Sequence, residues 1–139
     1  AQCAKMECAM PQLAKGGKWV FGWVVVGPDG EIRIPPEAYA EYGLQPGETV
    51  FFMKGSRRSG GFGLGKSTVL STAPILPRKL AQGKVTAAGT VSLPPEAAIQ
   101  PGERLLAYRG SGLALGFLQR GPIHEEALRH PELEIFIAG

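Results

Sequence analysis

Gly30–Ser56 reads GEIRIPPEAYAEYGLQPGETVFFMKGS, and a shortened version of this stretch returns later in the chain. The second copy, at Gly89–Ser111, reads GTVSLPPEAAIQPGERLLAYRGS. Both copies contain an apolar residue at alternate positions, then Pro-Pro-Glu-Ala, and then Gln-Pro-Gly-Glu, while the second copy lacks four residues between the two motifs. A repeat in the same order indicates two copies of one supersecondary unit.

Each copy predicts a strand, a turn, a short helix, a turn and a second strand. In the first copy, Ile32 and Ile34 alternate with charged residues, as in a half-buried strand, and the Pro-Pro pair ends that strand. A helix of about two turns follows, with Gly43 as a left-handed cap, and Thr49–Met53 forms the second strand. The residues missing from the second copy come to about one helical turn, which predicts that its helix is reduced to a stub.

The repeated pattern resembles that of the AbrB/MazE/SpoVT superfamily, the swapped-hairpin DNA-binding fold. Its signature is G-x-[IV]-x-[IL]-P-x-E, a short helix, and then G-[LI]-x-P-G-[DE]-x-[VL]. The resemblance implies a mainly β protein with short helices, in which two tandem units close a small AbrB-like barrel as an intramolecular pseudo-dimer, as in the MraZ branch. One copy alone has too few strands to bury its apolar faces, which agrees with this pairing.

The predicted organisation has five parts. They are an N-terminal segment (1–17), a first AbrB-like unit (18–66), a linker (67–83), a second AbrB-like unit (84–120), and a C-terminal helix and tail packed outside the barrel (121–139).

The charges are distributed unevenly along the chain. No Asp or Glu occurs from Thr49 to Pro95, although seven Lys and Arg residues lie there. The residues before and after this stretch each carry four basic and six acidic side chains. A basic stretch of this kind attracts polyanions, nucleic acid above all, although surface lysines and arginines also serve solubility alone.

The resemblance implies a DNA-binding transcriptional regulator that acts on double-stranded DNA without a cofactor and without catalysis. The residues predicted to contact DNA are Arg33, Lys54, Arg57, Arg58, Lys66 and Arg109. Relatives carry basic residues at the positions that Glu31, Tyr39, Ala40 and Thr90 occupy in this chain. The expected contacts are therefore with phosphates, because little is left for reading bases.

Two other function classes remain open. A protein-interaction or assembly module that kept the AbrB-like barrel and lost DNA is favoured by Glu31 and by the shortened second helix. This assembly alternative agrees with a possible homo-oligomer. A small-ligand sensor that uses the glycine-rich loops is the third class.

The glycine-rich loop matches a nucleotide-binding motif. Gly60–Ser67 satisfies G-x-x-x-x-G-K-[ST], the pattern of a P-loop. A P-loop follows a buried strand directly and opens a helix, whereas here KGSRRS intervenes and two prolines follow soon after. The corresponding stretch of the second copy, Gly110–Leu118, has no Lys-Ser. We therefore predict no nucleotide at this loop.

Few residues suggest chemistry. Cys3 and Cys8 offer at most two metal ligands, and reduced thiols are the simpler interpretation. His124 and His130 are six residues apart on a predicted helix, so they point to different faces, while Glu125 and Arg129 are expected to pair. We predict no enzyme, no metal and no cofactor.

The strand that precedes the first copy is rich in aromatic residues. Trp19, Phe21 and Trp23 are spaced to lie on one face, either as core packing or as a platform for stacking bases of single-stranded nucleic acid. The first 17 residues lack the continuous apolar core of a secretory signal, and no apolar run approaches the ~18 residues that a membrane helix needs. We therefore expect a cytoplasmic protein with no membrane partner.

Overall fold

A computed structural model describes residues 12–14, 18–72, 78–110 and 114–138 of the chain. The strands are β1 (Gln12–Ala14), β2 (Lys18–Val25), β3 (Glu31–Arg33), β4 (Thr49–Lys54), β5 (Phe62–Lys66), β6 (Lys79–Lys84), β7 (Thr90–Ser92), β8 (Arg104–Arg109), β9 (Leu115–Leu118) and β10 (Ile135–Ile137). The helices are α1 (Pro36–Glu41), α2 (Ser67–Leu70) and α3 (Pro122–Ala127), with a 3-10 helix at Pro95–Ala97. The protein is mainly β with short helices, as predicted.

Most of the strands belong to one mixed sheet. In the described part of the chain this sheet has eight strands in the order β1-β2-β8-β9-β5-β4-β6, and β10 pairs with β2 in the parallel direction. The other pairs in this sheet are antiparallel. β3 and β7 form a separate antiparallel sheet of two strands.

Two strand pairs bring corresponding residues of the two copies face to face. In the β3–β7 pair, Ile32 lies opposite Val91, its equivalent in the repeat. In the β5–β9 pair, Gly63 lies opposite Gly116, and these glycines hold the same register position in the hairpins β4–β5 and β8–β9. The strand pairing is therefore symmetric between the copies at both places.

The strand that precedes each repeated motif pairs with the strand that follows the motif in the other copy. β2 pairs with β8, where Val25 lies opposite Arg104. β6, at the end of the predicted linker, pairs with β4, where Lys84 lies opposite Thr49. Val25 and Lys84 hold equivalent positions before the two copies, and Arg104 and Thr49 hold equivalent positions within them, so the two pairings have the same register. Neither copy therefore completes its own sheet.

The large sheet does not close into a barrel, so this part of the predicted fold is corrected. Among the described residues, β6 pairs only with β4, and the sheet ends there. β3 and β7 would be the strands to link the edges, but each is three residues long and is followed by a Pro-Pro pair, Pro35–Pro36 or Pro94–Pro95. Because proline cannot donate to a strand ladder, these strands stop after pairing with each other.

A bulge in β2 overturns the predicted aromatic face. Between Val20 and Gly22 the register against β8 shifts by one residue, and Gly22 has φ of 143°. The shift sends Phe21 into the main core, while Trp23 packs with Val20 on the opposite side of the sheet. Both aromatic side chains are buried, which favours the packing interpretation over a base-stacking platform.

The helices match the expected difference between the two copies. α1 ends before Gly43, which has the left-handed φ of 65° predicted for its cap. In the second copy only the 3-10 helix remains, and Ala98, at the position of Gly43, adopts a left-handed φ of 55°. No helix in the described ranges is long and apolar enough to cross a bilayer.

The large sheet is packed on both faces. The main core contains Phe52, Phe62, Leu64 and Phe117 of the central strands, together with Ile32 of the small sheet. A second cluster covers the other face and is completed by the segment around α3. Its buried members are Val20, Trp23, Leu106, Leu118, Ala127 and Leu133. The loop between β4 and β5 borders the candidate site.

Candidate nucleic-acid interface

The loop between β4 and β5 presents two arginines to solvent. Ser56 closes the loop, because its side-chain oxygen accepts the Ser59 N–H at 3.1 Å and its carbonyl accepts the Gly60 N–H at 2.8 Å. Gly60 and Gly61 both have left-handed φ, and a Cβ at Gly61 would overlap the carbonyl oxygen of Phe117. These glycines let the chain turn sharply against β9. Arg57 and Arg58 lie exposed at the tip.

Two further arginines are held against this loop by backbone carbonyls. Arg78 donates from Nη2 to the carbonyl of Lys54 at 2.8 Å. Arg120 donates from Nη2 to the carbonyl of Arg57 at 3.0 Å, and its own backbone N–H donates to the carbonyl of Ser59 at 2.9 Å. We call this set of five cations the basic rim: Lys54, Arg57, Arg58, Arg78 and Arg120.

The basic rim borders a depression of about 510 Å³, here called the hairpin depression. Four of the five cations line it, namely Lys54, Arg58, Arg78 and Arg120. None of the described lining residues is Asp or Glu. A concave surface lined by one sign of charge concentrates the potential and attracts anions.

Two of the predicted contact residues are paired with carboxylates instead. Lys66 lies 3.7 Å from Glu48. Arg109 donates from Nε and Nη2 to the two carboxylate oxygens of Glu41, at 2.6 and 2.7 Å. Neither residue lines the depression that the basic rim borders, and each cation is already partly neutralised.

The Arg109–Glu41 pair alters the titration of its neighbourhood. Its hydrogen bonds lower the pKa of the Glu41 carboxyl below its ordinary value and raise the pKa of Arg109. Burial, followed by the nearby negative charge of Glu41, raises the pKa of Tyr42 to about 12. The Tyr42 hydroxyl donates to the carbonyl of Ala114 at 3.3 Å. These contacts join the C-terminal end of α1 to Arg109 of β8 and to Ala114, the residue before β9.

Arg33 lies elsewhere in the fold. It belongs to the two-stranded sheet and lines a smaller depression of about 310 Å³ with Tyr39, Pro36 and Pro46. None of the residues that line this second depression lines the first. Of the six residues predicted from the sequence, only Lys54, Arg57 and Arg58 therefore come together.

The sequence reasoning missed Arg78 and Arg120. Arg78 lies in the acid-free stretch, so its sign was visible, but nothing in the sequence brought it next to Lys54. Arg120 lies outside that stretch, at the end of β9. The register of β9 against β5 brings Arg120 to the loop, and that register cannot be read from residue spacing.

The P-loop-like stretch does not form a phosphate-cradling loop. Most of it is the strand β5, which is paired with β4 on one side and β9 on the other. α2 follows directly and has only four residues, so it contributes little of the macrodipole that favours phosphate at the N-terminus of a longer helix. Lys66 does not line the hairpin depression.

The histidines make local contacts at α3 and after it. His124 lies edge-on to Trp23 with 5.0 Å between ring centroids, and its Nε2 donates to the carbonyl of Arg104 at 3.1 Å. His130 contacts Glu132 at 2.8 Å and Glu126 at 3.4 Å. The hydrogen bond from His130 lowers the pKa of Glu132.

Arg129 pairs with Glu126 at 3.0 Å rather than with the predicted Glu125. α3 ends at Ala127, so Arg129 lies beyond the helix, outside the regular i,i+4 geometry on which the predicted pair depends. No cluster of three or more possible metal ligands occurs in the ranges that the structure describes. Cys3 and Cys8 lie outside the described residues.

Comparison of the chain with protein-family models, with curated proteins and with solved structures finds no match. The resemblance to the AbrB/MazE/SpoVT superfamily therefore remains a prediction from the repeated motif.

Proposed function

We propose that this protein binds duplex DNA through phosphate contacts made by the basic rim, as a transcriptional regulator of the AbrB/SpoVT type. The observation that carries the proposal is the convergence of four cations on the hairpin depression, whose described lining contains no carboxylate. Phosphate contacts supply most of the non-specific affinity of DNA-binding proteins.

The proposed architecture is a swapped-hairpin pseudo-dimer of two AbrB-like units. Its support is the strand pairing, in which β2 joins β8 of the other copy and β6 joins β4 of the other copy. The opposition of Ile32 to Val91 and of Gly63 to Gly116 agrees with an approximate two-fold relation between the units. On this proposal one chain supplies what two chains supply in a single-unit relative.

The arginines of the basic rim are suited to phosphate because they are held in place before a ligand arrives. Arg78 and Arg120 each donate one guanidinium N–H to a backbone carbonyl, that of Lys54 or Arg57. This hydrogen bond fixes the orientation of the guanidinium without neutralising its charge. Each guanidinium has five N–H donors, so most remain for phosphate oxygens. Contacts of this type position DNA and carry little sequence information.

The proposal is tested by titrating a labelled random duplex with the protein at low salt and following fluorescence anisotropy. We expect binding that weakens as salt is added, since each neutralised phosphate contributes about 0.9 to the slope of log affinity against log salt. Arg58→Gln and Arg78→Gln should each weaken binding and reduce this slope by about 0.9. Lys84→Gln is the matched control, because it removes one exposed charge from β6, outside the hairpin depression.

Absence of binding by the unaltered protein at low salt would refute the proposal. So would equal losses from Arg58→Gln and Lys84→Gln, because net charge alone would then explain the affinity. Arg109→Gln should change DNA affinity less than Arg58→Gln, since Arg109 already pairs with Glu41.

The alternative of an assembly module has one observation in its favour. Ile135 and Ile137 of β10 are 46% and 61% exposed, which is unusual for two isoleucines of one short strand. No strand of the described ranges pairs with the outer edge of β10. Light scattering on the DNA-free samples discriminates the two functions: a concentration-dependent oligomer that Ile137→Lys abolishes, together with no DNA binding, favours assembly.

A further inference from the structure

The hairpin depression has an apolar side as well as a basic one. Besides its four cations it is lined by Tyr108, Ala114 and Ile123, which are partly exposed, and by buried aromatic and aliphatic residues beneath them. A surface that served only the DNA backbone would need the cations and not this apolar wall. We propose that the hairpin depression binds a small organic phosphate, with the phosphate at the cations and an apolar ring against the wall.

The charge of the site favours a phosphate over a singly charged anion. Four cations line the depression without a carboxylate among the described lining residues. Arg78 uses one guanidinium N–H on the carbonyl of Lys54, and its remaining donors match the oxygens of a phosphate. A doubly charged group gains more from this set than a carboxylate gains.

The space for a ring arises where β5 and β9 cross at two opposed glycines. Gly63 lies opposite Gly116, and the ring of Tyr108 covers Gly116. A Cβ at Gly63 would meet Cβ of Ala114 at 3.6 Å and Cβ of Met53 at 3.7 Å, which are ordinary contacts. These neighbours line the depression, so a side chain at position 63 would extend into it. The absence of a side chain there keeps the depression open.

The volume of the depression agrees with a small ligand. About 510 Å³ lies within the range of small-molecule sites, roughly 300–1,000 Å³, which combine an apolar lining with a few placed polar groups. This site differs from a P-loop, because Lys66 does not line it and β5 is a paired strand. Ligand binding here does not depend on the proposed DNA function.

The test is isothermal titration of the full chain with phenyl phosphate and, separately, with inorganic phosphate at low salt. We expect phenyl phosphate to bind about tenfold or more tightly than inorganic phosphate, because its ring leaves water. Arg78→Gln should weaken phenyl phosphate about tenfold or more through the lost charged hydrogen bonds, while Lys84→Gln should leave its affinity within about twofold.

Gly63→Leu tests the depression without removing a charge. The leucine side chain should fill the space and abolish phenyl phosphate binding, whereas Gly63→Ala should retain it. Thermal melting checks that both variants fold. If Gly63→Leu does not fold, the effect of Arg78→Gln on phenyl phosphate binding decides the test. Because Gly63→Leu keeps the basic rim, it should still bind duplex DNA if the proposed function is right, so the two proposals fail separately.

Four outcomes overturn the inference. They are no binding of phenyl phosphate to the unaltered protein, equal affinity for phenyl and inorganic phosphate, undiminished binding by a folded Gly63→Leu variant, and undiminished binding by Arg78→Gln. Tight phenyl phosphate binding that only the depression variants weaken supports it.

Discussion

Arg109 and Glu41 form a bidentate ion pair across 68 positions of the sequence, and their pairing predicts a pH dependence. The pair lowers the pKa of Glu41 in the folded protein below its ordinary value of 4.5. Its contribution to stability is therefore present above pH 4.5 and is lost as the pH falls through the lowered pKa. Both side chains are more than a third exposed, so we expect Arg109→Gln to cost no more than about 1 kcal/mol at pH 7.

The measurement is urea unfolding of the protein and of Arg109→Gln at several pH values from 7 down to 3. The difference in unfolding free energy should shrink as the pH falls below 4.5. Arg129→Gln is the control, because it breaks a single contact to Glu126 at a largely exposed position and should change stability little at any pH. A difference for Arg109→Gln that stays constant down to pH 3 would contradict the assigned role of Glu41.

At the residue scale, the sequence predicts the sign of charges better than their partners. The acid-free stretch pointed to Lys54, Arg57 and Arg58. Lys54 and Arg58 line the hairpin depression, and the carbonyl of Arg57 accepts from Arg120, which lines it too. The distribution of charge along the chain could not reveal that Lys66 and Arg109 are partly neutralised, because their partners Glu48 and Glu41 lie in the acidic stretch before Thr49. Ion pairs between distant residues depend on the tertiary fold, which one sequence does not specify by spacing.

Among the secondary-structure elements, β10 depends on a glycine in β2. The Trp23 N–H donates to the carbonyl of Glu134 at 2.8 Å, just before β10 begins. A Cβ at Gly22 would lie 2.5 Å from that carbonyl oxygen and 3.0 Å from the ring of Phe136. Gly22→Ala should therefore push β10 away from β2 and lower stability by roughly 1–3 kcal/mol, since its φ of 143° is also unfavourable for alanine.

Hydrogen exchange measures this effect on β10 directly. The amides of Ile135–Ile137 should exchange faster in Gly22→Ala than in the unaltered protein, while the central strands stay protected. Gly63→Ala is the matched control, because its added Cβ makes ordinary contacts and its φ is not left-handed. Unchanged exchange in β10 would mean that the sheet accommodates the extra atom without moving this strand.

The sequence predicted the strands and the short helix of each copy and the helix cap of the first, but not the bulge in β2. The alternation at Ile32 and Ile34, the Pro-Pro pairs and Gly43 all follow from local backbone preferences, and the structure has these elements where they were expected. The bulge at β2 was invisible because it depends on the register against β8. That bulge is the reason why Phe21 and Trp23 lie on opposite faces.

For the whole molecule, the repeat predicted that the two copies belong together, and the strand order gives the form of that association. Each copy supplies one hairpin to the centre of the sheet, and β5 meets β9 at the glycine pair Gly63 and Gly116. The small sheet of β3 and β7 repeats the same symmetric contact at Ile32 and Val91. The motif alone could not decide whether the sheet closes into a barrel. Closure depends on how far the strand ladders of β3 and β7 continue before the Pro-Pro pairs end them.

This arrangement predicts that neither half of the chain folds alone as a monomer. A chain divided after Thr72 separates β2 from β8 and β4 from β6, which are two of the most extensive strand pairs. Each fragment would expose the apolar faces that its partner covers, including Phe52 in one half and Phe117 in the other.

We expect each fragment alone to lack a cooperative thermal transition as a monomer, and an equimolar mixture to recover β-sheet circular dichroism and cooperative melting. The undivided protein is the reference for the signal. If either fragment melts cooperatively as a monomer, each copy completes its own core, and the exchanged pairing of the strands is not what stabilises the fold.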